Sequence, residues 1–295
     1  MTAADLGLAG AGEAVQSISY TTSRGDDTVI AGTVAAGGTS YSGAWLSTDG
    51  GSTWTRVRVP VSNGAGDTIS GLAFDRAGLI AVRPGGTSAG SASGVSYFSP
   101  NGRDWQYSGT IGAAAGWRPG VVKGSGDGFV VAGQTATGQI VAYTSAGTGT
   151  AWQPTGTLGR AASESVTSVT LAPGGTVVAV GGTRGSPVSQ RPVFLEATAA
   201  GRVRPVSVPG LRDGVVPELT VNSAAVSPAG TVVAVGSADG YPAVWQDPPG
   251  GAWRLVSSLQ VTALASSGPA VAGIGSTATA RGRQFLLLAL SDITR

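Results

Sequence analysis

Six times along the chain, turn residues give way to an apolar run that closes on Gly or Val. The copies are GDDTVIAG (25–32), DRAGLIAV (75–82), GSGDGFVVAG (124–133), PGGTVVAVG (173–181), PAGTVVAVG (228–236) and SGPAVAGIG (267–275). Each predicts a hairpin entering a buried strand, because Gly, Asp and Pro supply the turn while Val, Ile and Ala fit a covered, pleated surface. A loop follows, then a strand with one large apolar residue: Trp45, Tyr97, Tyr143, Phe194, Trp245 and Leu288, spaced 52, 46, 51, 51 and 43 residues apart. After another turn comes Trp54, Trp105, Trp152 or Trp253, with Val203 at the matching point of the fourth copy. A further short strand precedes each motif: QSISY (16–20), ISGLAF (69–74), GVVK (120–123), VTSVTL (166–171), NSAAVS (222–227) and VTALAS (261–266).

Four strands per unit at a period near 50 residues is the requirement of a β-propeller blade. The sequence thus predicts an all-β, six-bladed propeller of four-stranded antiparallel blades. The blades fall near 16–61, 66–112, 116–159, 162–211, 216–259 and 260–295, within a single domain over 1–295. The apolar runs lack polar alternation because each blade is covered on both faces by its neighbours. The Gly closing most runs is expected where backbones approach closely. The stretch 252–267, free of Gly and Pro after Gly251, is the best helical alternative, but both of its halves fall in register with strands of other copies. The sixth copy lacks an outer strand, and the N-terminal segment 3–10, AADLGLAG, is expected to complete it and close the ring.

Composition narrows the chemistry. With 49 Gly and 16 Pro, helix is disfavoured almost throughout. The chain has 18 basic and 16 acidic residues, net +2, with no clustered cations, which argues against a nucleic-acid partner. There is no Cys and no His, so disulfides, thiolate or imidazole metal sites and His-dependent triads are excluded. Neither a metal nor a cofactor is expected. The opening MTAADLGLAGAGEA has no basic region leading a long apolar core, so no signal peptide or direct membrane insertion is predicted for this chain, and a tether is expected to lie upstream.

The octet STDGGSTW (47–54) matches the pattern Ser/Thr-x-Asp-x-Gly-x-x-Trp at every specified position: Ser47, Asp49, Gly51 and Trp54. Asp49 can accept from turn amides, Gly50 and Gly51 can take positive φ, and Trp54 can pack back over the hairpin, so a structural brace is expected there. SPNGRDW (99–105), SAGTGTAW (145–152) and DPPGGAW (247–253) are degraded copies. On these motifs the chain resembles the Asp-box, or BNR-repeat, β-propeller superfamily, which includes sialidases, sortilin-type receptors, xyloglucanases and photosystem assembly factors. The resemblance implies a sialidase-like fold and an extracellular or cell-envelope setting. The 17 Arg against one Lys, with the Ala, Gly and Val load, resembles actinobacterial coding bias.

The resemblance to sialidases also implies an arginine triad, a Tyr activated by a Glu, and an acid/base Asp. VRPG (82–85) and WRPG (117–120) lack the Ile of the early Arg-Ile-Pro motif, and none of Glu13, Glu164, Glu196 and Glu218 has a recognisable Tyr partner in the sequence. The expectation is therefore a non-catalytic binding platform for a protein or a cell-envelope glycan, with a divergent sialidase or glycoside hydrolase as the alternative. Residues expected on exposed loops, where binding groups collect, are Tyr41, Arg83, Trp117, Arg118, Arg184, Arg191, Tyr241, Arg281 and Arg283.

Overall fold

A computed structural model of the chain describes residues 7–61, 67–85, 93–112, 116–126, 128–160, 164–183, 192–198, 202–205, 219–227, 229–238, 241–257, 261–267, 270–279 and 282–289. Packing divides the chain into two units, residues 1–137 with 143–154 and residues 138–142 with 155–295.

In the first unit, β1 (Glu13–Arg24), β2 (Asp27–Ala36), β3 (Thr39–Ser47) and β4 (Thr55–Val57) form an antiparallel sheet in sequence order. A second sheet follows with β5 (Gly71–Phe74), β6 (Leu79–Pro84), β7 (Gly94–Ser99) and β8 (Gln106–Ile111), and a third begins with β9 (Arg118–Ser125) and β10 (Gly128–Gln134). The third sheet is completed by β11 (Gln139–Ala146) and β12 (Gln153–Arg160), in the order β12-β11-β10-β9.

In the second unit, the fourth sheet holds β13 (Glu164–Ala172), β14 (Thr176–Thr183), β15 (Pro192–Ala197) and β16 (Val203–Pro205), again in order. The fifth holds β17 (Leu219–Val226), β18 (Val232–Ala238), β19 (Tyr241–Asp247) and β20 (Arg254–Ser257). The last has three strands among the described residues, β21 (Val261–Ser267), β22 (Ala270–Thr279) and β23 (Gly282–Ala289). Strands β20 and β21 occupy the stretch where helix was the alternative. Of the segment 3–10, residues 3–6 lie outside the described residues; Gly7–Gly10 is not strand, and Leu8 packs on Ile30, Val34 and Trp45 of the first sheet.

The core repeats with the sheets. Val29, Ala31, Ala44 and Leu46 of the first sheet meet Leu72, Leu79, Ala81 and Tyr97 of the second, with Trp105 sealing the group. In the second unit Val178, Val180 and Phe194 meet Val221, Val232, Ala234, Trp245 and Trp253 in the same way, with Phe194 edge-on to both indoles at 5.5 and 4.8 Å. Consecutive residues of β2, β6 and β10 are buried, so both faces of these second strands are covered, as the unbroken apolar runs required. Each large side chain so buried contributes on the order of 2 kcal/mol.

The Gly closing five of the six runs has a specific partner. Among the described residues, five sheets carry a bulge in the first strand where it opposes that Gly: Gly32 pairs with Ile18, Gly133 with Pro119, Gly181 with Val166, Gly236 with Val221 and Gly275 with Val261. The extra residues are Ser19, Gly120, Thr167, Asn222 and Thr262. A Cβ on Gly32 would stand 1.8 Å from the Ser17 carbonyl oxygen, so the bulged backbone fills the space a side chain needs. Side chains around the bulges tie neighbouring first strands together. The Thr167 hydroxyl donates to the Val221 carbonyl, and the Ala224 N–H donates to Ser168 Oγ at 3.1 Å.

Candidate functional site

The octet 47–54 folds into a hydrogen-bonded turn between β3 and β4. The Ser47 hydroxyl donates to Asp49 Oδ1 at 2.7 Å and accepts from the Gly51 N–H at 2.8 Å. Thr53 donates its N–H to Asp49 Oδ1 at 2.9 Å and its hydroxyl to Oδ2 at 2.6 Å. These bonds, those from Thr53 first, hold the Asp49 carboxyl at about 2. Gly50 and Gly51 take φ of 69° and 92°, and the Trp54 Nε1–H donates to the Gly51 carbonyl at 3.1 Å. The copy at 99–105 reproduces this with Asn101 in place of the acid: Oδ1 accepts from the Arg103 and Asp104 amides, and Trp105 Nε1–H donates to the Gly102 carbonyl at 3.0 Å. With every carboxylate oxygen of Asp49 engaged inside the turn, this corner braces a hairpin.

A second cluster lies at the other end of β3. Glu13 opens β1, and strand pairing across β2 brings it to Tyr41, whose hydroxyl donates to Glu13 Oε1 at 2.5 Å. Arg56 donates to both Glu13 oxygens at 2.7 and 2.6 Å, and to the Tyr41 hydroxyl at 3.2 Å, with its guanidinium 5.5 Å from the phenol ring centre. The bond from Arg56, and then that from Tyr41, holds the Glu13 carboxyl at about 2. The expectation that no glutamate adjoins a tyrosine is corrected here: the two residues stand 28 positions apart and meet only through sheet register.

Beside this trio opens a cleft of about 520 Å³, lined by Tyr41, Arg56, Arg58, Val61, Asp67 and Arg83, and floored by Ala44, Val57, Val59 and Ile69. Arg56 and Arg58 alternate with Val57 and Val59, so a period of two sends the guanidiniums one way and the valines toward the core. Arg83 differs from its sequence-based placement on an exposed loop: it sits within β6, only 2% exposed. Its Nη2 donates to the Val59 carbonyl at 3.0 Å, its Nη1 lies 3.4 Å from Asp67 Oδ1, and its Nε has no partner among the described residues. Burial pushes the Arg83 guanidinium below its ordinary range, against the opposing charge of Asp67.

The other residues singled out in the sequence do not join this cleft. Trp117 is fully buried, edge-on to Tyr143 at 5.0 Å, where its ring covers Gly94, Gly112 and Gly133. Arg118 is exposed at the start of β9. Tyr241 and Arg283 lie on β19 and β23, and their side chains, with Arg184, Arg191 and Arg281, lie outside the described residues. Glu13, Arg56, Arg58 and Asp67 were missed; the alternation in TRVRV (55–59) was the available signal for the two arginines. Among the described residues no group of three acidic side chains gathers as a metal site, and no helix is long and apolar enough to cross a membrane.

The six antiparallel sheets define an all-β, six-bladed β-propeller. The fold is similar to that of the Penicillium chrysogenum α-L-arabinanase complexed with arabinobiose, with TM-score 0.52 and 16% identity over 92% of this chain and 93% of that one. It is also similar to the GH74 xyloglucanase of Xanthomonas campestris, with TM-score 0.56 and 17% identity over 92% of this chain and 47% of the other, so the chain spans about half that enzyme's length. The six-bladed lectin of Aleuria aurantia aligns at TM-score 0.48 and 14% identity, over 80% of this chain and 76% of the lectin. No protein-family model matches the chain, and no curated protein matches it significantly.

These likenesses correct the expectation of a non-enzyme. The arabinanase and the xyloglucanase are both enzymes on this fold. The physical reason is that glycoside hydrolysis runs on carboxylates, so a lack of His and Cys does not separate a propeller from catalysis.

Proposed function

We propose that the chain is a glycan-recognising β-propeller whose saccharide site is the cleft beside β3 and β4. The observation that carries this reading is the lining itself: a tyrosine ring fixed by its own hydrogen bonds, an aliphatic Val61 left 49% exposed, three guanidiniums, and the carboxylate of Asp67 beside one of them. Sugar C–H faces pack on the ring and the aliphatic surface, while sugar hydroxyls accept from guanidinium and donate to Asp67. The reading is supported by the carbohydrate-active arabinanase and xyloglucanase that share the fold. A glycan partner accords with the resemblance to Asp-box propellers carried by the 47–54 turn, and with a cell-envelope setting where such polymers are found.

Glycoside hydrolysis is the reaction class these two enzymes favour. It needs two carboxylates flanking the scissile bond. Asp67 lines the cleft and Glu13 stands behind Tyr41 and Arg56. Held at about 2, Glu13 stays ionised at neutral pH, which suits it to stabilising positive charge and not to donating a proton.

The test is a panel of arabino-, xyloglucan- and uronate-containing oligosaccharides, scored for binding by calorimetry and for cleavage by product analysis. At least one class is expected to bind with Kd below about 1 mM, the affinity of a modest pocket. Tyr41→Ala is expected to weaken that binding at least about tenfold, the loss of one ring contact. Absence of binding across the panel would overturn the proposal.

A further inference from the structure

The cleft carries a cationic subsite whose charge is only partly answered. Arg56 is neutralised by Glu13, its Nη1 donating to both carboxylate oxygens. Arg58, exposed on the same wall, has no ion-pair partner among the described residues. Arg83 is buried beneath, and its counter-ion Asp67 approaches one nitrogen at 3.4 Å with its own side chain 54% exposed. A buried guanidinium normally fills its planar fork with acceptors, since leaving donors unmade in low dielectric is costly. Here one of the three nitrogens bonds a carbonyl, one is held by Asp67 at 3.4 Å and Nε has no partner among the described residues.

Resting on the saccharide reading above, we infer that the Arg58–Arg83 side of this cleft takes the carboxylate of an acidic saccharide, a uronate-type sugar, with its ring against Tyr41 and Val61. A carboxylate matches the guanidinium fork in plane and spacing, which an ammonium or a neutral hydroxyl does not. Arg58 supplies a second, mobile cation from the rim, and the weak Asp67 contact can open without stranding Arg83, because the incoming anion replaces it. The site lies on outer and second strands of two adjacent sheets, β4 with its following residues and β6, within the first unit.

The experiment uses the full chain and calorimetric titration with oligogalacturonate, a neutral oligosaccharide of equal length and a sulfated one. Oligogalacturonate is expected to bind at least about tenfold tighter than the neutral oligosaccharide at low salt, the scale of one charge-assisted contact, and to lose that advantage as salt rises. Arg58→Ala, at an exposed position that leaves the fold intact, is expected to cut the preference several-fold. Arg83→Met, checked for folding by its melting curve, is expected to abolish it. Equal binding of neutral and acidic sugars, or an unchanged preference in Arg58→Ala, overturns the carboxylate subsite while leaving the glycan reading standing. Stronger binding of the sulfated sugar overturns the choice of carboxylate. No binding of any of the three overturns the glycan reading of the cleft as well.

Discussion

The hydroxyl of Tyr41 lies 2.5 Å from Oε1 of Glu13, two residues that the sheet joins across 28 positions. The bond fixes the phenol ring at the rim of the cleft, and Arg56 fixes both partners in turn. Glu13→Gln removes the charge that anchors Arg56. Oligosaccharide affinity is expected to fall several-fold, while the melting temperature moves by no more than about 2 °C, as for other half-exposed ion pairs. Calorimetric titration beside a thermal scan separates the two effects, and a large loss of stability with unchanged affinity would falsify a positioning role.

The carboxyl of Asp49 is depressed to about 2 by hydrogen bonds led by those from Thr53. A depressed carboxyl stabilises the folded state above its unfolded value, near 4, and loses that contribution as pH falls through the folded one. Acid should therefore loosen the 47–54 hairpin between about pH 4 and pH 2. Asp49→Asn, which copies the natural Asn101 turn, is expected to flatten this part of the pH dependence. The Thr53 amide resonance followed by NMR across that range reports it directly.

Trp45 is 1% exposed and its Nε1–H donates to the Leu8 carbonyl at 2.8 Å. Trp45→Phe keeps most of the packing and strands that carbonyl, so a cost of about 1–3 kcal/mol is expected from urea unfolding. Leu8→Ala, which opens the same cluster from the other side, is expected to cost about 2–4 kcal/mol. Values near zero for both would show that the N-terminal segment does not seat on the first sheet in solution.

Gly32 and Gly120 are paired tests of the bulge. Alanine at 32 meets the Ser17 carbonyl at 1.8 Å, whereas alanine at 120 finds its nearest heavy atom, the Ala132 carbonyl oxygen, at 3.4 Å. Gly32→Ala is expected to destabilise by about 3 kcal/mol and Gly120→Ala by less than about 1, measured as shifts in the chemical-denaturation midpoint.

Much of the architecture was legible in the chain because each local signal agreed with the others. Runs such as TVVAVG read as buried strands whichever face is considered, and the aromatic or leucine of each third strand kept its spacing. The site was less legible for physical reasons. Arg83 followed by Pro-Gly read as loop, yet β6 runs through it and buries the charge. Trp117 beside Arg and Pro read as an exposed anchor, but Gly112 and Gly116 at positive φ turn the chain so that its indole faces inward. Glu13, Tyr41 and Arg56 sit on three different strands, and nothing in one dimension reports register between them.

The extra residue opposite each closing glycine has a consequence of its own. Ser19, Gly120, Thr167, Asn222 and Thr262 hold one equivalent slot outside the regular ladder, and its occupant changes from copy to copy while the strands on either side stay aligned. Because the slot lies outside the ladder, its side chain is free to serve the sheet next door: Thr167 donates its hydroxyl to the Val221 carbonyl of the adjacent first strand, so a change of occupant alters a tie between sheets while the backbone pairing within its own sheet stands.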